Sequence, residues 1–167
     1  MVLRHTCAAR GFSLIELMIA VAVVALLAAV ALPTFNDSIR KGRRSEAFAA
    51  LAQVQQAQER WRTNHSNYAD NSQLSLPVVP ANSGDPVGLG VPGTTGSGYY
   101  TITIGSSPTG TSYVTTATAV AGTSQAADAG CQVLAAKMDG GTVLYASGVS
   151  SVDFTAANKD PKGCWAR

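Results

Sequence analysis

The chain has 167 residues, of which 46% are hydrophobic and only 13% charged, against about 25% charged in an ordinary soluble domain. That length supports one domain and excludes two of ordinary size. The formal net charge is +2, but residues 65–167 carry four basic and six acidic side chains, a balance of −2, which excludes a generic, strongly basic polyanion-binding domain.

Arg4 and Arg10 open the chain, and a dense apolar block follows over residues 12–32. A basic stretch before an apolar one also begins a secretory signal, in which small residues at the cut site come last. Ala29 and Ala31 could mimic such a site, so ordinary signal cleavage stays one reading. A plain single-pass anchor is another: about 20 helical residues at ~1.5 Å each span a hydrocarbon core of ~30 Å. Glu16 fits neither well. A carboxylate inside a spanning helix costs about 2.5–3.5 kcal/mol on insertion scales and needs a cationic partner. The next basic residue along the chain is Arg40, far up the helix axis.

The string Gly11-Phe12-Ser13-Leu14-Ile15-Glu16-Leu17-Met18 resembles the processing motif of type IV pilins and their relatives, with Ser13 where Thr is common. The resemblance implies a leader over residues 1–11, cut by a prepilin peptidase between Gly11 and Phe12 on the cytoplasmic side. Phe12 would then be N-methylated, and Glu16 would be the fifth mature residue. The new α-amine keeps its positive charge, and Glu16 of a neighbouring subunit can pair with it inside the filament. Pairing removes an uncompensated buried charge and sets axial register. The positive-inside rule alone would place Arg40, Lys41, Arg43 and Arg44 in the cytoplasm. The motif requires the reverse, with Arg4 and Arg10 inside, because the peptidase must reach Gly11.

Residues 12–35 form the hydrophobic assembly helix, ending near Pro33, which is expected to kink or locally melt it, or alternatively to end it. Pilins commonly carry Pro here. Gly42 is a second expected soft point, and no Gly or Pro interrupts residues 43–62. Over residues 36–64, Ala47, Phe48, Leu51, Val54, Ala57 and Trp61 recur at three- and four-residue steps, the pattern of an amphipathic helix. The collar Arg40, Lys41, Arg43 and Arg44 has three readings: a solvated face, contact with lipid headgroups, or contact with acidic groups of neighbouring subunits. Arg43 and Glu46 could pair locally for a few tenths of a kcal/mol.

Residues 65–98, rich in Asn, Ser, Pro and Gly, read as a long surface loop, the αβ-loop of the resemblance. His65 reads as a surface residue, since no Cys, His or acidic cluster stands at ligand spacing. Residues 99–104 alternate, with Tyr100, Ile102 and Ile104 on one face. Residues 113–120 read as a second strand, and residues 131–138 and 142–146 as a hairpin about Asp139-Gly140-Gly141. The expected fold is α+β: a long N-terminal helix on a four-stranded antiparallel sheet, the pilin fold of the resemblance.

With Cys7 in the leader, Cys131 and Cys164 remain as an even pair, as an oxidising compartment would favour. Many pilins end in a disulfide-bounded loop, and minor pilins often show a Cys-Trp close to the terminus, as in Cys164-Trp165. A bridge closing that segment would be worth roughly 3.5–4 kcal/mol in the chain-entropy account. Structural closure is the simpler role; a receptor or interface role is the other.

No Ser-His-acid set, phosphate loop or metal spacing stands out, so no enzyme activity, metal or cofactor is expected. The resemblance implies a structural pilus subunit, in particular a minor pilin. Its partners would be other pilin subunits, the prepilin peptidase and the inner-membrane assembly platform. It would lie in the inner membrane with its head in the periplasm, then in the extracellular filament. A DNA-receptor pilin is the alternative, with Lys159, Lys162 and Arg167 as phosphate contacts. A type II secretion pseudopilin is a further one, although no acidic cluster suited to calcium accompanies it.

Overall fold

The structure, a computed structural model, describes residues 12–80, 83–105 and 107–165, with the backbone alone at Pro33. The leader with Gly11, and Arg167 at the other end, lie outside the described residues. The chain divides into two units, Met1–Ser38 and Ile39–Arg167. One helix, α1 (Leu14–Arg62, 49 residues), contributes to both. Apart from Glu16, residues 14–32 are all Leu, Ala, Ile, Val or Met, without a glycine, and the helix ends carry Glu16 in the first turn and Arg60 and Arg62 in the last. Those charges oppose the partial charges of the helix ends.

In the first unit nearly all described side chains are exposed, including Phe12, Leu17, Leu26 and Leu32. By length and composition this part of α1 is apolar enough to cross a membrane, with a mean hydropathy of 2.8. The backbone stays helical through Pro33, so the proline neither ends nor melts the helix. The reading in which it terminates the helix is thereby corrected.

In the second unit the pattern changes from all-apolar to amphipathic, and the helix gains a buried face. Ala47, Leu51, Val54 and Ala57 join one core with Tyr100, Ile102, Ile104, Ala117 and Leu134. Each large aliphatic side chain buried in this way contributes about 1.5–3 kcal/mol. The sheet is a meander in the order β1-β2-β3-β4, antiparallel throughout: β1 (Tyr100–Ile104), β2 (Ser112–Ala119), β3 (Val133–Asp139) and β4 (Thr142–Gly148). β1 buries Tyr100, Ile102 and Ile104, as its alternation requires. Gly140 and Gly141 take positive φ (57° and 90°) in the turn that joins β3 to β4, where a side chain would be strained.

Two expectations are corrected. Cys131 does not start the third strand; it lies two residues before β3, at the end of a segment containing a short 3₁₀ turn, Ser124–Ala127. The stretch read as a surface loop also carries core residues. Leu74, Leu89 and Val91 are buried, and backbone hydrogen bonds from Leu89 to Gln73 (2.9 Å), Gly90 to Leu76 (2.8 Å) and Val91 to Leu74 (3.0 Å) pair its two arms. Gln58, between apolar positions of α1, is fully buried; its amide donates to the Ala69 carbonyl and accepts from the Ala69 amide, both at 2.8 Å. The loop is thus fastened to the helix by satisfied polar contacts as well as by apolar ones.

Candidate functional site

The first candidate surface is the start of α1. The Leu17 amide donates to the Ser13 carbonyl at 3.2 Å, closing the first turn beside Phe12 and Glu16. Phe12 is 82% exposed. Glu16 is exposed among apolar side chains and makes no ion pair among the described residues. A carboxylate in that setting is chemically suited to one thing above all, a cation brought by another molecule.

The basic collar has a different use. Arg44 forks onto Asp128, Nε to Oδ2 at 2.7 Å and Nη2 to Oδ1 at 2.6 Å, with side-chain exposures of 12% and 6%. Its hydrogen bond to Asp128 raises the arginine pKa, against the cost of burial. Gln125 also donates to Asp128 Oδ2, at 2.7 Å. Arg43 donates to the Ser124 hydroxyl and lies 3.9 Å over the Tyr99 ring, and Arg40 Nε donates to the Ser124 carbonyl at 3.3 Å. The collar therefore clasps the segment between β2 and β3 inside the head, and the solvated-face reading fails for Arg43 and Arg44. The local Arg43–Glu46 pair is likewise absent from the described contacts; Glu46 accepts from the Ser97 hydroxyl instead.

The tail is anchored twice. Cys131 and Cys164 form a disulfide. Asp160 accepts from the amides of Cys164 (2.7 Å) and Trp165 (3.0 Å) and from the Ser147 hydroxyl (2.5 Å). The Trp165 indole stacks on Phe48 with centroids 4.6 Å apart and donates to the Ala146 carbonyl at 2.9 Å. Lys162, with Lys41, borders a groove of about 900 Å³ floored by Phe48, Ala49 and Ala52. Its stem runs so close to Gly130 (φ 84°) that a Cβ there would come within 2.5 Å of it. Hydrogen bonds from Thr155, with a smaller contribution from the Lys159 charge, lower the pKa of Asp153. The tail's lysines are therefore interleaved with Asp153 and Asp160, and Arg167 lies outside the described residues.

Sequence reading missed a second basic and aromatic grouping, at the end of α1. Arg60, Trp61, Arg62, His65 and Tyr68 alternate charge and ring within nine residues, and that interleaving was the available signal. Trp61 and His65 stack nearly parallel, with centroids 3.6 Å apart and planes 4° from each other. His65 donates from Nδ1 to the Trp61 carbonyl at 2.9 Å, which leaves Nε2 available. Arg62 donates to the His65 carbonyl (2.7 Å) and lies 5.2 Å from the centre of the Tyr68 ring. The Tyr68 hydroxyl donates to Glu59 at 3.2 Å; burial, then the Glu59 charge, raises its pKa. Among the described residues no group of three His, Cys, Asp or Glu side chains is placed to hold a metal ion.

Comparison with known proteins gives two matching families. A family described as "Type IV minor pilin ComP, DNA uptake sequence receptor" matches residues 33–135, more than half of the chain. A second, "Prokaryotic N-terminal methylation motif", matches residues 7–32. Among curated relatives, a "Fimbrial protein" of Moraxella nonliquefaciens is 38% identical over 72 residues, covering 43% of this chain and 47% of that protein. A "Type IV major pilin protein PilE1" of Neisseria gonorrhoeae is 40% identical over 63 residues, 38% of each chain. A "Type IV major pilin protein PilA" of Myxococcus xanthus is 41% identical over 61 residues, covering 36% of this chain and 28% of that protein. The chain spans less than half the length of these curated relatives.

Proposed function

The chain belongs to the type IV pilin family, and from that premise we propose that it is a minor subunit of a type IV pilus, assembled through α1 and able to take up DNA. The observation that carries the assembly half is the run of exposed apolar side chains around a carboxylate, Glu16, that makes no ion pair among the described residues, next to the N-terminal methylation motif matched over residues 7–32. An apolar rod of this kind has two favourable environments, a bilayer and a bundle of its own copies. In the first the chain waits as a membrane-anchored precursor with its head in the periplasm. In the second it stands in the extracellular filament, its partners being other pilin subunits, supplied through the prepilin peptidase and the inner-membrane assembly platform.

The DNA half rests on the family match over residues 33–135. That span holds α1 from Pro33 onward, the αβ-loop, β1, β2 and the first residues of β3. It does not reach Lys159, Lys162 or Arg167, the contacts that the sequence alone suggests. The expected result for both halves is that sheared filaments contain the chain, and that the full-length protein in detergent retains DNA at low salt and releases it as salt rises. Filaments without the chain would contradict the assembly half. Absence of DNA retention at low salt would contradict the receptor half.

A further inference from the structure

Ala57, Arg60, Trp61, Asn64 and His65 of the α1 end face Val78, Val87 and Leu89 of the αβ-loop across a slot of about 180 Å³. We infer that this slot is a nucleobase-binding site, which takes one base of single-stranded or locally opened DNA against the Trp61–His65 stack and its phosphate on Arg60. The inference rests on the DNA-receptor reading and gives it a location.

Size is the first argument. The slot has room for a single ring system and is well below the ~300 Å³ at which sites for larger organic ligands begin. The lining is the second. Leu89 and Ala57 are buried, Val87 is half-buried, and two aromatic rings complete the walls, which makes a surface for a flat, weakly polar face. Every base has such a face, and base–aromatic stacking is tolerant of sequence. The slot's lining side chains offer one amide, one guanidinium and one imidazole edge, fewer directed polar partners than the several hydroxyls of a saccharide ring would use.

Charge is the third argument. The carbonyls at the helix end are already engaged. Arg60 O accepts from the Thr63 amide (3.3 Å) and hydroxyl (2.7 Å), and Trp61 O accepts from the Asn64 amide (3.2 Å) and His65. Arg62 is committed to the His65 carbonyl and the Tyr68 ring. The Arg60 guanidinium is exposed and makes no hydrogen bond or ion pair among the described residues. Glu59, its neighbour, does not line the slot and accepts from Tyr68. The mouth of the slot thus presents a cation, although residues 65–167 carry more acidic than basic side chains. Asn64 adds an amide that can both donate to and accept from a base edge. Finally, the slot lies wholly within residues 33–135, the span shared with the DNA-receptor family, as the tail lysines do not.

The test is fluorescence anisotropy of a labelled oligodeoxythymidylate, titrated with the full-length mature protein in detergent at low salt. Arg60→Gln and His65→Ala should each weaken binding about tenfold, the scale of losing one stacked base or one phosphate contact. Lys159→Gln and Lys162→Gln should leave it within about twofold. The Arg60 side chain is exposed and makes no hydrogen bond or ion pair among the described residues, so the thermal melt of Arg60→Gln should match the parent, and a blunt duplex should bind more weakly than the single strand. If the tail variants lose binding and the slot variants do not, the slot is overturned while the receptor reading stands. If the parent binds no DNA, both fall. Quenching of Trp61 by a neutral oligosaccharide and not by the oligonucleotide would overturn the ligand class.

Discussion

Glu16→Val is expected to insert in the membrane at least as well as the parent and to reach filaments about a hundredfold less. The two outcomes separate anchoring from assembly. For insertion alone the carboxylate is a cost of about 2.5–3.5 kcal/mol, so its removal should help. On the proposed route of assembly, the same carboxylate would neutralise, in a bundle of apolar helices, the amine left at Phe12 by leader removal. Its loss strands that cation in a low-dielectric surround, where breaking one partner of a buried pair costs about 3–5 kcal/mol. About 3 kcal/mol corresponds to the hundredfold given above. Glu16→Gln, which keeps size and hydrogen bonding but not charge, should fail nearly as badly. The measurement is the ratio of chain in sheared filaments to chain in the membrane fraction, and an unchanged ratio for Glu16→Val would refute the pairing.

The second large effect is expected from opening the disulfide. Replacing Cys131 and Cys164 together by Ala should lower the unfolding free energy of the head by roughly 3.5–4 kcal/mol in the chain-entropy account, seen as a lower denaturant midpoint with a somewhat steeper slope, because the unfolded chain loses its cross-link. The head should still fold, because the tail has other anchors. Asp160 holds the Cys164 and Trp165 amides, and Trp165 packs on Phe48 and under the Ala146 carbonyl. A shift well under 1 kcal/mol would mean that those contacts, and not the covalent bond, hold the tail in place.

The elements that were legible in the sequence are those whose signal is local. Alternation gave β1 its buried face at Tyr100, Ile102 and Ile104, and the Asp139-Gly140-Gly141 turn gave the β3–β4 hairpin. A three- and four-residue rhythm gave the buried stripe of α1 at Ala47, Leu51, Val54 and Ala57. What stayed hidden depends on partners far along the chain. Arg44 reads as one of a solvated cluster, yet its carboxylate partner is Asp128, 84 residues on. Gln58 reads as polar surface between apolar positions, and it is buried because the Ala69 backbone satisfies both ends of its amide. Leu74, Leu89 and Val91 follow no period, since they anchor an irregular loop and not a strand or helix. The slot is hidden for the same reason: half of it comes from the last turn of α1 and half from a loop some 20 residues later. Only the alternation of Arg60, Trp61, Arg62 and His65 could have pointed to it.

The mature amino terminus bears most directly on the whole account. Mass spectrometry of the N-terminal peptide from filament or membrane protein should find Phe12 as the first residue, carrying one methyl group on its α-nitrogen. A mature chain that begins at Met1, or just after Ala29 or Ala31, would leave Glu16 without the amine it is held to pair with and would contradict the proposed route of assembly.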